Sequence, residues 1–296
     1  MANNHAYTGP LRFAHRGLAQ YAPENTLGAF EAAVDHHFEG IEIDIQLSRD
    51  GEIIVAHDCN FTRMTLGHPT APSNRRLRDM TWEEISVVEL PYANHTLSRA
   101  LPSHSDVEDM AIMPERLMGQ EAGSDYETAL AKDGRMAHLM RFSDFDTWLA
   151  SRPEHVTVEI EVKAGGTMKR MLELLDISPN VERYILFSGV PAYIEEIQST
   201  CRREGMPRGL RLGANIRYLT EEAKNSIKSM NLFEVGLNAG AFTKEDIHWL
   251  SDHGIQVLSN LGDTPVWWEQ LCQLDVLGFK TNYAEAYTDW WFSQNQ

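Results

Sequence analysis

The sequence predicts an α/β fold, a closed (β/α)8 barrel with a long insertion after the β-hairpin that follows its second strand. Eight short apolar or β-branched runs alternate with seven amphipathic segments, the order that builds a parallel sheet with helices outside it. The chain has 296 residues, enough for one barrel of about 250 residues and an excursion. An open doubly wound sheet is the main competitor, but neither a GxGxxG nor a GxxxxGKS/T motif follows the first run, so nothing supports a nucleotide fold.

The first strand, LRFAHRG, ends in His15 and Arg16, and Gly17 permits a sharp exit there. The helix NTLGAFEAAVDHH follows, with Thr26 near its start, where the first amides favour an anion. The second strand lies in GIEIDIQLSRDGEIIVAHD, residues 40–58. Residues two apart on a strand share a face. Ile41, Ile43 and Ile45 therefore point to the helices, and Glu42, Asp44 and Gln46 point into the barrel. Asp50-Gly51 is a hairpin signal, with paired residue numbers expected to sum to about 101, which sets His57 opposite Asp44.

Residues 59–140 break the rhythm. The stretches HPTAPSNRRLRDM and SHSDVEDMAIMPERLMGQEAGSDYE are polar, dotted with proline and weakly periodic. The expectation is an insertion forming a cap over the active site, with residues 1–58 and 141–296 forming the catalytic barrel; a flexible excursion is the alternative. FSDFDTWLASR restores the helical pattern, and VTVEIEVK repeats the strand alternation, Val158, Ile160 and Val162 outward and Glu159, Glu161 and Lys163 into the lumen. The strands RYILFSG, GLRLGAN, FEVGLNAG, IQVLSN and VLGFKTN complete the wall. Between them run the helices GTMKRMLELLDI, PAYIEEIQSTCRREG, TEEAKNSIKSM, TKEDIHWLSDHG and TPVWWEQLCQL, which open on Thr or Pro, two of them closing at Gly205 and Gly254.

Composition narrows the function. The chain is 43% hydrophobic and 23% charged, ordinary for a soluble domain, and no apolar run reaches the ~18 residues of a membrane span. The start, MANNHAYTGP, lacks a basic end followed by an apolar stretch, so no secretory signal is expected. Three scattered cysteines, Cys59, Cys201 and Cys272, argue against a disulfide framework and a cysteine metal site. A cytoplasmic chain is the simplest expectation. The net charge is −17, from 26 Lys and Arg against 43 Asp and Glu. Such a surface repels nucleic acid and anionic membranes, so neither a nucleic-acid partner nor stable membrane anchoring is expected. An anionic substrate would need a local cluster of cations.

Four lumen carboxylates on two strands are costly, since an unpaired buried charge costs several kcal/mol. A divalent cation is one compensator, and oxygen ligands from Glu42, Asp44 and Glu161 suit Mg2+ or Ca2+ better than zinc. Ion pairing with Lys163, Arg16 or Arg12 is the alternative. His15 and Arg16 at the end of the first strand join His57 and Lys163 at one barrel mouth. Cations that neutralise an anion, beside histidines that move protons, are equipment for cleaving a phosphate ester.

HRG, PENT, EID, DGEIIVAHD and EVK, in this order, resemble the glycerophosphodiester phosphodiesterase family, with weaker echoes at ILFSG, Asn260 and KTN. The resemblance spans the whole barrel. It implies a TIM barrel of lipid metabolism that hydrolyses a glycerophosphodiester to glycerol 3-phosphate and an alcohol, with one divalent cation, Mg2+ or Ca2+. Glu42, Asp44 and Glu161 match the metal ligands, and His15 and His57 the general acid/base pair. Arg16 and Lys163 match phosphate-contacting positions, with Glu24 and Asn25 in the supporting PEN loop. Glu159, Asn260 and Asn282 are further candidate substrate contacts. In the implied mechanism a substrate hydroxyl attacks phosphorus and water then opens the cyclic phosphate; which histidine is acid and which base stays open.

The chain departs from the family's pattern in three places. The last strand ends Thr281-Asn282-Tyr283-Ala284 where the family usually has Thr-Asp-x-Pro. VLSN stands where a WTVN-like run is frequent, and the insertion is longer than a small cap. These changes lie where the alcohol groups would be gripped, so a sugar phosphodiester of the agrocinopine type is the second reading. A lyase of the sphingomyelinase D type would be secreted and disulfide-bonded, and a non-catalytic binding module would have lost a histidine or an acid. Trp267-Trp268 and Trp290-Trp291 fit sealing of the barrel or a contact in a homo-oligomer. Met110, Met113 and Met118 fit packing or an apolar wall for an alcohol group. His36, His37 and His253 read as surface residues at helix ends; His95, His104 and His138 lie in the insertion.

Overall fold

The computed structural model describes residues 7–65, 72, 74–92, 101, 134–152, 155–238 and 240–295. Its strands are β1 (Leu11–His15), β2 (Gly40–Leu47), β3 (Ile53–Val55), β4 (Leu90–Pro91), β5 (Met136–Ala137) and β6 (Met140–Arg141), then β7 (Thr157–Val162), β8 (Tyr184–Phe187), β9 (Arg211–Ile216), β10 (Glu234–Asn238), β11 (Gln256–Asn260) and β12 (Gly278–Thr281). The helices are α1 (Leu27–Asp35), α2 (Trp82–Ser86), α3 (Phe142–Ala150), α4 (Met168–Ile177), α5 (Pro191–Glu204), α6 (Glu221–Ile227), α7 (Lys244–Asp252), α8 (Pro265–Gln273) and α9 (Ala284–Gln294). Among the described residues no helix is long and apolar enough to cross a membrane.

Strands β1, β2 and β7 to β12 pair in parallel around a closed barrel, with β1 bonded to both β2 and β12. These are the eight runs expected from the sequence. The alternation on each strand explains the wall. Ile41, Ile43 and Ile45 join Val158, Ile160, Val162, Phe30 and Leu149 in the main core between barrel and helices, while Glu42 and Asp44 are buried on the other face. At the base, Gly40 has no side chain because the Phe13 ring fills that space; a β-carbon there would sit 2.3 Å from it.

Threonine side chains cap some of the helix starts where the sequence places them, while Thr26, Thr167 and Thr264 stand at the N-cap without a side-chain capping bond. Thr220 accepts from the amide of Ala223 at 3.2 Å, and Thr243 forms a reciprocal capping box with Asp246. Pro191 and Pro265 occupy first turns, and Gly205 closes α5 at φ 92°. Helix α9 was signalled only by its tryptophans: two of its residues, Ala284 and Tyr287, are buried, too few for a clear period.

The hairpin forms with a register one step from the expected one. Ile45 faces Val55 and Leu47 faces Ile53, so paired numbers sum to 100. The loop holds three residues, Arg49, Asp50 and Gly51, with Gly51 at φ 84°, the geometry of a three-residue turn ending in a left-handed glycine. Ala56 therefore donates to the Asp44 carbonyl at 2.9 Å, and His57 lies one step past it.

Strand β3 also pairs with β6, Val55 opposite Met140, so the excursion leaves and returns at one place. Its described parts bury Phe61, Met64, Leu77, Met80, Ile85, Val88, Leu90 and Leu139 against Ile54 and Ala56, a cluster separate from the main core. Met110, Met113, Met118, His95 and His104 lie outside the described residues.

Candidate active site

Three lumen acids converge at the C-terminal end of the barrel. Register puts Asp44 beside Glu161 and His15 beside Glu42, and carboxylate oxygens of Glu42, Asp44 and Glu161 lie within 4.8 Å of one another. Glu42 is 0% and Asp44 1% exposed. Glu42 Oε1 and Asp44 Oδ1 are buried without a hydrogen-bond partner. Burial, then the charges of Asp44 and Glu161, push the Glu42 carboxyl well above the usual range. An all-oxygen set with a buried Glu42 oxygen lacking a partner and carboxylate charge only partly offset by side chains fits a hard divalent cation.

The backbone bends to aim the first loop at these acids. Arg16 and Asn25 hold positive φ of 59° and 56°, a conformation that non-glycine residues adopt at a cost. In return the Arg16 amide donates to Glu42 Oε2 at 3.0 Å. Asn25 donates from Nδ2 to Asp44 Oδ2 at 2.9 Å and accepts from the Asp44 amide at 3.2 Å. Arg16 Nε lies 3.2 Å from Asp44 Oδ2, and its terminal nitrogen 3.1 Å from Glu24 Oε1. Lys163 Nζ sits 2.9 Å from Glu161 Oε1 and 3.5 Å from Asp44 Oδ1. Burial alone would raise the Asp44 carboxyl, but His57, Arg16 and Lys163 outweigh it and hold it low. Arg12 takes no part, since it pairs with Glu39 at 2.6 Å.

The two histidines flank the cluster. His15 Nε2 is 3.9 Å from Glu42 Oε2, and its Nδ1 bonds Asn282 Oδ1 at 2.7 Å. Burial and then Arg16 lower the His15 pKa to about 3. His57 Nδ1 donates to Asp58 Oδ1 at 2.8 Å. Asp58 stays low despite burial because His57 and Arg63 donate to it.

Arg63 is the residue that sequence reasoning missed. It donates to both Glu24 oxygens, at 2.9 and 2.7 Å, and to Asp58 Oδ2 at 2.8 Å. It thus ties the first loop to the support of His57, and nothing local marks it. Asp263 was missed too: it accepts from Thr281 Oγ1 at 2.7 Å and from Asn282.

The remaining candidates divide. Glu159 lies deeper, fully buried and 2.9 Å from Lys280 Nζ. Glu234 neighbours it, its carboxyl raised by burial and then by Glu159. Asn260 and Asn215 flank Gly236, where a β-carbon would be 1.9 Å from Asn215 Oδ1 and 3.3 Å from Asn260 Nδ2. Asn260 Oδ1 is buried without a partner. His138 bonds the Val88 carbonyl at 3.1 Å. Trp268 is buried against Tyr287 and Trp290.

The glycerophosphoryl diester phosphodiesterase family matches over residues 15–191, the span that carries both histidines, all three acids, Arg16 and Lys163. The uncharacterized protein YqiK of Bacillus subtilis is 25% identical over 236 residues, 78% of this chain and 93% of that one. A glycerophosphodiester phosphodiesterase of Bacillus altitudinis is 41% identical over 177 residues, 59% of this chain and 65% of that one. A phosphodiesterase of Oleispira antarctica, solved in complex with the product sn-glycerol-3-phosphate, superposes with a TM-score of 0.68 at 16% identity, covering 95% of this chain and 96% of that one. At that identity the likeness establishes the fold, and the family match establishes the kinship. The chain belongs to the glycerophosphoryl diester phosphodiesterase family and is a phosphodiester hydrolase.

Proposed function

We propose that the chain hydrolyses a glycerophosphodiester to a phosphomonoester, glycerol 3-phosphate, and an alcohol, with one divalent cation, Mg2+ or Ca2+, held by Glu42, Asp44 and Glu161. The observation that carries the reading is convergence: two histidines and two cationic side chains border one tricarboxylate cluster, two of whose acids are buried. The bound product in the Oleispira antarctica protein supports the glycerol end of the substrate. A cation held there would neutralise phosphate charge and strengthen the electrophile.

The protein's own groups supply the rest. Arg16 and Lys163 border the acids and offer positive charge to a phosphate. Asp58 accepts from His57 Nδ1, so proton exchange on that ring falls to Nε2. The His15 ring is held at Nδ1 by Asn282, which leaves Nε2 on the carboxylate side to accept a proton from an attacking hydroxyl. His57 gives its own proton from Nε2 to the departing alcohol. When water opens a cyclic phosphate, His57 takes a proton from the water while His15 gives its proton to the leaving hydroxyl. Arg63 reaches this site from the segment after the hairpin, which supports reading the described start of the excursion as part of a cap.

A sugar phosphodiester is the second reading. It is favoured by the neutral amides of Asn215 and Asn260 across Gly236, since an orphaned buried acceptor suits a hydroxyl-rich group. A turnover panel separates the two. Glycerophosphocholine, glycerophosphoethanolamine, a lysophospholipid and a sugar phosphodiester are tested with Mg2+, Ca2+ or chelator, and released phosphomonoester is measured. Cation-dependent cleavage of the glycerol compounds is the expected result. Cleavage of the sugar ester alone selects the second reading, and cation binding without any turnover makes the chain a binding module.

A further inference from the structure

Behind His15 runs a hydrogen-bonded chain in which every direction is fixed. Asp263 Oδ1 accepts from the Thr281 hydroxyl at 2.7 Å and the Asn282 amide at 2.9 Å, and Oδ2 accepts from Asn282 Nδ2 at 2.8 Å. An ionised carboxylate only accepts, so the NH2 end of Asn282 must face Asp263. Its carbonyl end must then face His15, where Oδ1 lies 2.7 Å from Nδ1. A carbonyl oxygen also only accepts, so the proton of that contact sits on Nδ1. A neutral ring that donates from Nδ1 presents its lone pair at Nε2, the nitrogen on the Glu42 side.

The arrangement is shielded and held. His15 is 6%, Asn282 4% and Asp263 4% exposed, so bulk water offers no alternative partners. The loop that delivers Asp263 passes through Leu261 at φ 46°, an unfavourable conformation for a leucine that persists where surrounding contacts impose it. Asn282 has both polar ends engaged, which sets its side chain behind the histidine.

We infer that Asp263 is a positioning residue: acting through Asn282, it fixes His15 in the tautomer protonated at Nδ1, with Nε2 turned toward the carboxylate cluster. The inference rests on the acid/base role proposed for His15, but tautomer and activity are read separately. Without the Asp263 charge the Asn282 amide is free to turn over and donate to Nδ1, which moves the ring proton to Nε2 and blocks that nitrogen as a base.

Long-range 1H–15N spectra of the 15N-labelled full chain report the ring tautomer, with the His15 signals assigned by their loss in His15→Gln. The wild-type ring is expected to be protonated at Nδ1, with and without Mg2+. Asp263→Asn is expected to shift it toward Nε2–H and to lower kcat roughly 100-fold on the best phosphodiester, with KM changed less than about threefold. Adding Asn282→Asp places a carboxylate directly against Nδ1, and this double variant is expected to regain Nδ1–H and most of kcat. A wild-type ring protonated at Nε2 overturns the inference without recourse to any variant. A folded Asp263→Asn with unchanged tautomer and kcat also overturns it, as does a double variant that recovers neither. The spectra need no substrate, so a chain inert toward every phosphodiester overturns the proposed function while leaving the tautomer assignment to stand or fall by itself.

Discussion

At the level of single residues, neighbours decide what each titratable group at the mouth does. His15 is buried against Arg16 and kept neutral, whereas His57 is oriented by an ionised Asp58. In the proposed mechanism the two histidines take opposite roles, one accepting a proton and one giving it. Replacing either with alanine is therefore expected to lower kcat by ~10²–10⁴, measured as phosphomonoester release under saturating cation. Losses below tenfold for both would remove them from the chemistry. The acids and histidines were legible in the sequence because strand alternation projects Glu42, Asp44 and Glu161 into one lumen. Arg63 and Asp263 were not, because their meaning lies in partners 39 and 19 residues away, and no local pattern links a loop residue to such a partner.

Among the elements, the barrel strands were legible because each pairs an aliphatic outer face with its own pattern inside. Two features were not. The hairpin register depended on whether the turn held two or three residues, which Asp50-Gly51 alone leaves undecided, and α9 buries too few side chains to show a period. The left-handed glycines allow a comparison that separates backbone strain from packing. Gly17 and Gly51 have φ of 81° and 84°, but a β-carbon at residue 17 would lie 2.8 Å from the Ala29 backbone, while residue 51 faces open space. Gly51→Ala is expected to cost about 1–2 kcal/mol, the backbone term alone, and Gly17→Ala about 1–3 kcal/mol beyond it, both read by urea denaturation. Equal losses would mean that α1 shifts freely to make room.

The floor of the barrel gives a pH-dependent prediction. Burial and then the charge of Glu159 raise the Glu234 carboxyl well above its ordinary range, which favours its protonated form. A group whose folded pKa is raised binds its proton more tightly in the folded state. It therefore adds stability below the unfolded value, which is lost as pH rises through the folded one. Glu234→Gln supplies an amide donor in place of that proton. The wild type is expected to lose stability relative to this variant from about pH 4.5 upward, measured as the difference in unfolding free energy between the two at successive pH values. A difference that stays constant with pH would show that Glu234 is ionised throughout, with Lys280 supplying its compensation.

For the whole molecule, a chain of net charge −17 gathers three of its acids at its centre, and its stability should depend on what neutralises them. Lys163 and Arg16 already pair with Asp44, yet burial and the other two acids still raise Glu42, so compensation by side chains alone is incomplete. A cation that binds only the folded state adds about 2.7 kcal/mol at 100 times its Kd, which for a chain of this size is roughly 4 °C in Tm. Thermal unfolding of the wild type is therefore expected to move up by that amount with Mg2+ or Ca2+ and back down with chelator. Glu161→Gln removes a ligand and one of the repelling charges together. It should lose the cation-dependent rise, yet in chelator it should melt no lower than the wild type. A crossing of this kind distinguishes a cation site from a purely structural salt-bridge cluster, in which Glu161→Gln would break the Lys163 pair and lower Tm equally with and without cation.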